Sequence, residues 1–135
     1  MRARFARHRA AGLLGALLVA GMLLAGCGGG DSGGGQGYVE PKGPAVQSLD
    51  IHAGNFYFKP KTLTAKPGIT KVTLNDDGGI HTLVFDGALP GFMLEVSGGG
   101  DSQSSKVDLK PGEYTFYCNV TGHRAQGMEG TITVK

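Results

Sequence analysis

Residues 118–128, Cys118-Asn119-Val120-Thr121-Gly122-His123-Arg124-Ala125-Gln126-Gly127-Met128, read C-x4-H-x4-M. A thiolate, an imidazole and a thioether therefore arrive on one short loop between two strand-like runs, Tyr114 to Cys118 and Thr131 to Val134. Such a loop can deliver three ligands to one metal ion while the strands hold its ends. Soft sulfur with imidazole favours copper, and two His, one Cys and a weak axial Met form the trigonal set used for electron transfer. A fourth ligand must come from elsewhere. His81, which opens a strand-like run directly after the break Asn75-Asp76-Asp77-Gly78-Gly79, is the candidate.

Cys118 has no obvious disulfide partner, because Cys27 is the only other cysteine and lies in a Gly-rich stretch far up the chain. A lone thiol in an exported protein invites oxidation, so Cys118 is either an inert core residue or a ligand. The His and Met that follow at x4 spacings select the ligand. His52, in a strand followed by Ala53-Gly54, reads as an exposed residue, and Met93 as a packing or rim residue.

The elements that must carry these residues are short β runs separated by turn signals. Val46 to His52 comes first. Phe56-Tyr57-Phe58 and Thr62 to Ala65 follow as one segment interrupted by Lys59-Pro60-Lys61. Thr70 to Leu74 alternates with Val72 and Leu74 on one face, and Lys106 to Lys110 with Val107 and Leu109 inward. Pro67-Gly68 and Pro111-Gly112 are turn pairs. Gly87 to Gly100 is a longer excursion, and Ile132 and Val134 close the domain. Seven or eight such strands in residues 45–135, with no helical period among them, predict an all-β Greek-key β-sandwich.

The front of the chain is different. A head with Arg2, Arg4, Arg7 and Arg9 precedes an apolar run from Ala10 to Gly26, the pattern of a secretory signal peptide over residues 1–26. The run is short for a spanning helix. It ends Leu24-Ala25-Gly26-Cys27, which resembles the lipobox of bacterial lipoproteins and implies lipid on Cys27. Residues 27–44, rich in Gly, are expected to be a flexible tether with an r.m.s. reach of roughly 23 Å. Together these predict export and attachment to the cell envelope, on the periplasmic or outer face of a membrane.

The formal charge of +2 misleads, since four of the 13 Lys/Arg belong to the head. Beyond the head, the chain carries nine Lys/Arg against all 11 Asp/Glu. No basic patch is left to neutralise phosphates, which excludes a nucleic-acid partner.

Taken together, Asn75-x5-His81 and Tyr114-x3-Cys118-x4-His123-x4-Met128-x-Gly130-x-Ile132-x-Val134 resemble a plastocyanin/azurin-type cupredoxin, a blue-copper domain. Phe56-Tyr57-Phe58-x-Pro60 and Lys66-Pro67-Gly68 are similar to the usual opening of that family. The resemblance implies one type 1 copper ion, with His81, Cys118 and His123 as equatorial ligands and Met128 as axial ligand. It implies single-electron exchange with redox partner proteins through the His123 edge. That edge is expected to emerge in an apolar patch to which Ile80, Pro90, Phe92, Met93 and Ala125 contribute, with Asn75 and Thr82 in the surroundings of the ligands. Two departures stand out: Thr82 where many members have Asn after the first His, and x4 between Cys and His where plastocyanin has x2.

A monomeric electron carrier is one expectation. A cell-surface or periplasmic protein for copper scavenging or delivery is the alternative, with the same ligands. A copper enzyme would need a second site, for which His52 is the one spare imidazole, and a dinuclear centre would need a second Cys in the loop.

Overall fold

A computed structural model describes residues 37–135. The signal peptide expected over 1–26, Cys27, and residues 28–36 of the tether expected over 27–44 lie outside the described residues. Alternation builds the first sheet. In β1 (Gln47–Gly54), Leu49, Ile51 and Ala53 face inward while Ser48, Asp50 and His52 face out. The same pattern sets β4 (Gly68–Asp76), with Thr70, Val72, Leu74 and Asp76 buried, and β7 (Ser102–Leu109), with Ser105, Val107 and Leu109 buried. With β2 (Tyr57–Lys59) they form a sheet ordered β2-β1-β4-β7.

The second sheet runs β3-β9-β8-β5-β6, from β3 (Thr62–Ala65), β9 (Glu129–Val134), β8 (Gly112–Tyr117), β5 (Ile80–Phe85) and β6 (Leu94–Ser97). The pairs β1–β4 and β3–β9 are parallel and the others antiparallel. This is the expected all-β sandwich, with nine strands among the described residues rather than seven or eight. Two features account for the difference. Phe56-Tyr57-Phe58 and Thr62 to Ala65 are not one strand: the chain changes sheet at Lys59-Pro60-Lys61, where Pro60 has no N–H to give a ladder. Leu94–Ser97 is a further strand inside the 87–100 excursion. A single turn of 3-10 helix, Arg124–Gln126, is the one helical element among the described residues.

The two sheets meet over a continuous apolar core that includes Ile51, Leu74, Leu83, Leu94, Phe116 and Ile132. Phe58 of one sheet packs edge-on against Phe116 of the other at 5.2 Å. The chain joins this body at Tyr38. The Tyr38 ring packs at right angles on Phe92, and its hydroxyl donates to the Lys106 carbonyl at 2.8 Å. Glu40 accepts from Ser105 Oγ at 2.9 Å and pairs with Lys106.

Gly130 marks the tightest approach in the core. A Cβ there would run into the Phe116 ring and meet the Lys61 carbonyl at 2.5 Å, so β9 can lie flat on that ring only without a side chain. Gly130→Ala should therefore destabilise the fold by about 1–3 kcal/mol, the usual cost of overpacking, read as a lower urea midpoint of the metal-free protein. An unchanged midpoint would mean that the ring moves aside freely.

Candidate metal centre

Strand register brings the ligand candidates together. β5 pairs β8 with Val84 opposite Tyr117 and Phe85 opposite Phe116. Continued two residues toward the strand end, the same register sets Thr82 opposite Asn119. Hydrogen bonds show it: Asn119 N–H donates to Thr82 Oγ1 at 2.9 Å, and Thr82 Oγ1 donates to Asn119 Oδ1 at 2.7 Å. β8 pairs β9 with Tyr117 opposite Glu129, so Cys118 faces Met128, and Cys118 N–H donates to the Met128 carbonyl at 3.1 Å. The C-x4-H-x4-M stretch is thus the loop of a hairpin that Cys118 and Met128 close.

His123 sits at the turn of that loop. Its N–H donates to the Val120 carbonyl at 3.0 Å, and its own carbonyl accepts from Gln126 and Met128 at 3.1 and 3.2 Å. Gly127, at φ 92°, supplies the left-handed residue that ends the 3-10 turn. Outside the loop, the Arg124 guanidinium lies 4.0 Å over the Tyr117 ring, donates to Asp86 at 2.6 Å and reaches Glu129 at 3.2 Å.

The side chains of His81, Cys118 and His123 offer ligand atoms that all lie within 4.8 Å of one another. Cys118 Sγ is 3.5 Å from His123 Nδ1, and the His81 and His123 rings are 5.3 Å apart. Cys118 is fully buried and free, His81 is buried and His123 is half-buried. Met128 is fully buried at the foot of the loop.

His81 carries a sharper signal. Its Nε2 lies 3.1 Å from the Gly78 carbonyl, which can only accept, so the proton is on Nε2. The lone pair is then on Nδ1, which is buried and has no hydrogen-bond partner. Leaving such an acceptor unpaired costs about 1–3 kcal/mol. A metal ion supplies the missing partner, and fixing the other ring nitrogen on a backbone carbonyl is how ligating imidazoles are oriented. The carbonyl is itself placed by Asp76, whose Oδ1 accepts from Gly78 N–H at 3.0 Å.

Thr82 does what an Asn after the first His would do. Its hydroxyl ties the two ligand-bearing segments together through Asn119, and its backbone N–H points at Cys118 Sγ at 3.4 Å. Donation to sulfur stabilises a thiolate. Sequence reasoning misses Asn119, whose one signal is that it is a polar residue directly after Cys118.

Two expected neighbours of the site lie elsewhere. Phe92 is not on the exposed patch: it is 3% exposed, its ring seated between Phe85 and Tyr38. The backbone turns at Leu89, whose carbonyl accepts from Phe92 N–H at 3.0 Å, and this sends the ring into the core. Asn75 uses its side chain across the β4–β7 pair, accepting from Ser102 Oγ at 2.9 Å rather than bonding a ligand residue. Ile80 is on the surface, 60% exposed beside His81, and Pro90 and Ala125 are exposed as well. Met93 is half-buried and lines a groove with Val84 and Leu89.

Comparison with known proteins agrees with this geometry. Residues 45–135 match the family described as copper binding proteins of the plastocyanin/azurin family. A plastocyanin of Nostoc punctiforme is 36% identical over 100 residues, covering 64% of this chain and 70% of that protein. A plastocyanin of Scenedesmus fuscus is 33% identical over 96 residues, covering 64% of this chain and 95% of that one. Among solved structures, auracyanin B superposes with a TM-score of 0.62 at 20% identity, over 78% of this chain and 99% of its own. An azurin of Methylomonas sp. strain J gives 0.56 at 16% identity, over 67% and 99%. Two sheets with a His-Cys-His cluster at one end, buried at His81 and Cys118 and half open at His123, define a single-ion copper site of the cupredoxin kind. The chain belongs to the plastocyanin/azurin family of copper-binding proteins.

Gly79 tests the orientation of His81. A Cβ there would lie 2.8 Å from His81 Nε2, and at φ 121° any side chain is strained. Gly79→Ala should push the ring off the Gly78 carbonyl and lower Cu(II) affinity about 10- to 100-fold, as loss of an outer hydrogen bond does. Competition with a chromophoric chelator would measure it, and an affinity within twofold of wild type would count against the orienting bond.

Proposed function

We propose that this protein is a type 1 copper protein that carries single electrons between redox partners outside the cytoplasm, held at a membrane by lipid on Cys27. His81, Cys118 and His123 would hold the ion by two imidazoles and a thiolate, with the Met128 thioether as a weaker fourth ligand. The observation that carries this reading is the buried, unpartnered Nδ1 of His81, on a residue that offers a ligand atom within 4.8 Å of a free buried thiol and a second imidazole.

When bound, copper would supply a one-electron couple whose potential follows the Met128 thioether and the hydrogen bonds at the Cys118 sulfur. The protein's part is to keep the donors still. His81 is locked by Gly78, and Cys118 sits in the ladder between Thr82 and Met128. His123 alone is half open to solvent, so a partner approaches through its edge, across the exposed Ile80, Pro90 and Ala125. Electron transfer needs no substrate pocket there, only a surface that sheds water readily, which apolar side chains provide.

The lipid anchor rests on Leu24-Ala25-Gly26-Cys27 and the apolar run before it. Multiple acyl chains on such a residue hold firmly where one would not. Cys27→Ser should release the folded copper domain from the membrane fraction into the soluble fraction. Continued sedimentation with membranes would argue for another attachment.

The copper-loaded protein should show an intense thiolate-to-copper band, lost in Cys118→Ser, and a colour that survives would mean a different ligand set. Met128→Gln should lower the reduction potential and Met128→Leu raise it. Equal potentials in both variants would remove Met128 from the metal's surroundings. Exchange with a redox partner faster than copper release to an acceptor separates carrier from delivery protein.

A further inference from the structure

The hairpin between β1 and β2 contributes no ligand, yet it touches both ligand-bearing segments from the solvent side. Phe56, at its tip, packs its ring edge-on against the His123 imidazole, with centroids 5.1 Å apart and planes at 87°. The next residue, Tyr57, donates from its hydroxyl to Asp77 Oδ2 at 2.9 Å. Asp77 lies in the 76–79 turn that orients His81, and His52 of the same hairpin meets its other oxygen at 2.9 Å. The Asp77 N–H also donates to the Ala53 carbonyl at 2.8 Å.

The backbone is shaped for these contacts. Phe56 stands at φ 60°, a conformation that a bulky side chain adopts only when its surroundings over-determine it. Gly54 leaves room where a Cβ would run into the Tyr57 ring. Phe56 and Tyr57 nevertheless stay 39% and 41% exposed, so burial does not account for their placement.

We infer that the β1–β2 hairpin is a clamp, with Phe56 and Tyr57 as positioning residues that hold the His81 turn and the His123 loop at a fixed separation. The inference rests on the copper reading for its purpose, since a carrier's ligands must not move between oxidation states. On the core side Thr82 and Asn119 already join the two segments. The hairpin joins them on the outside, in series: His123 to Phe56, along the hairpin to Tyr57 and His52, and from there to Asp77. Removing the Phe56 ring or the Asp77 carboxylate opens the side-chain bridge, while the backbone bond from Asp77 to Ala53 stays and Tyr57→Phe alone leaves the His52 link in place.

The test uses Phe56→Gly, Asp77→Ala and the double variant, with Tyr57→Phe as a milder cut at the same end. Glycine is at ease at φ 60°, so Phe56→Gly should keep or raise the melting temperature while freeing the ring. In the metal-free protein, nitrogen-15 relaxation of the His123 imidazole should show added motion in Asp77→Ala and Tyr57→Phe, although neither residue touches His123. Reciprocally, Phe56→Gly should speed amide exchange at Asp77 to Gly79. In the copper-loaded protein each cut should accelerate Cu(II) release to a chelator about tenfold, and the double variant should add little further.

Unchanged His123 relaxation in both Asp77→Ala and Tyr57→Phe overturns the clamp. So does a double variant whose effects multiply, because that describes two independent contacts. If the wild-type chain takes up no copper, the electron-carrier reading fails, and relaxation of the metal-free protein still decides the clamp by itself.

Discussion

The contact between Thr82 and the Cys118–Asn119 step is the constraint on which the site depends. These residues are 36 and 37 positions apart in the chain, and the ladder of β5 with β8 makes them neighbours. Once Thr82 faces Asn119, His81 must fall at the end of β5 nearest the loop, because it directly precedes Thr82. Cys118 must then present its sulfur to the Thr82 N–H. Ligand placement is a consequence of strand register, and a slip of one residue would turn both side chains to the opposite face. A buried sheet face resists such a slip, so the core specifies the site as well as the fold.

Against that rigidity stand two buried side-chain atoms without a partner among the described residues, Asp76 Oδ2 and His81 Nδ1, of which the second faces the site. His81 Nδ1 is buried without a partner, and the loop around it is built so that no carbonyl or hydroxyl satisfies it among the described residues. Asp76 holds Gly78, and Gly78 holds the ring by the other nitrogen. The metal-free protein therefore carries an unpaired acceptor that copper binding relieves. Free energy released at the site then stabilises the folded chain, since an ion that binds only the native arrangement shifts the folding equilibrium toward it.

How far the chain can be read without its structure depends on how local each feature is. Cys118, His123 and Met128 announce themselves because they share one loop, and spacing within a hairpin is a local property. His81 is legible from its position after a Gly-rich break. The sandwich is legible from alternation, which is also local. Phe92 misleads because a Pro90-Gly91 turn beside an apolar residue looks like a surface patch, whereas the partner that takes the ring inward, Tyr38, is more than 50 positions away in a stretch that reads as tether. Asn75 misleads because its partner, Ser102, is set by the pairing of β4 with β7, which no local pattern reveals. Phe56 is legible as part of a family-like opening, but not as a neighbour of His123, since that contact joins opposite ends of the domain sequence.

The x4 spacing between Cys118 and His123 departs from the x2 of plastocyanin, and the geometry explains why the departure is tolerable. Cys118 and Met128 are a facing pair in the ladder, so their separation is set by the hairpin and not by the loop between them. Residues added between Cys and His change only how the chain climbs to the imidazole and returns. Here the climb is taken up by the turn at Val120 to His123, and the return by the 3-10 turn that Gly127 ends. Arg124, fastened to Asp86 and Glu129 over Tyr117, holds the enlarged loop down on β8. A longer loop has more ways to sway, and the Phe56 ring packs edge-on against His123. Loop length and the aromatic at the hairpin tip are two parts of one solution: the freedom that the extra residues introduce is removed by contacts from strands at the far end of the sequence.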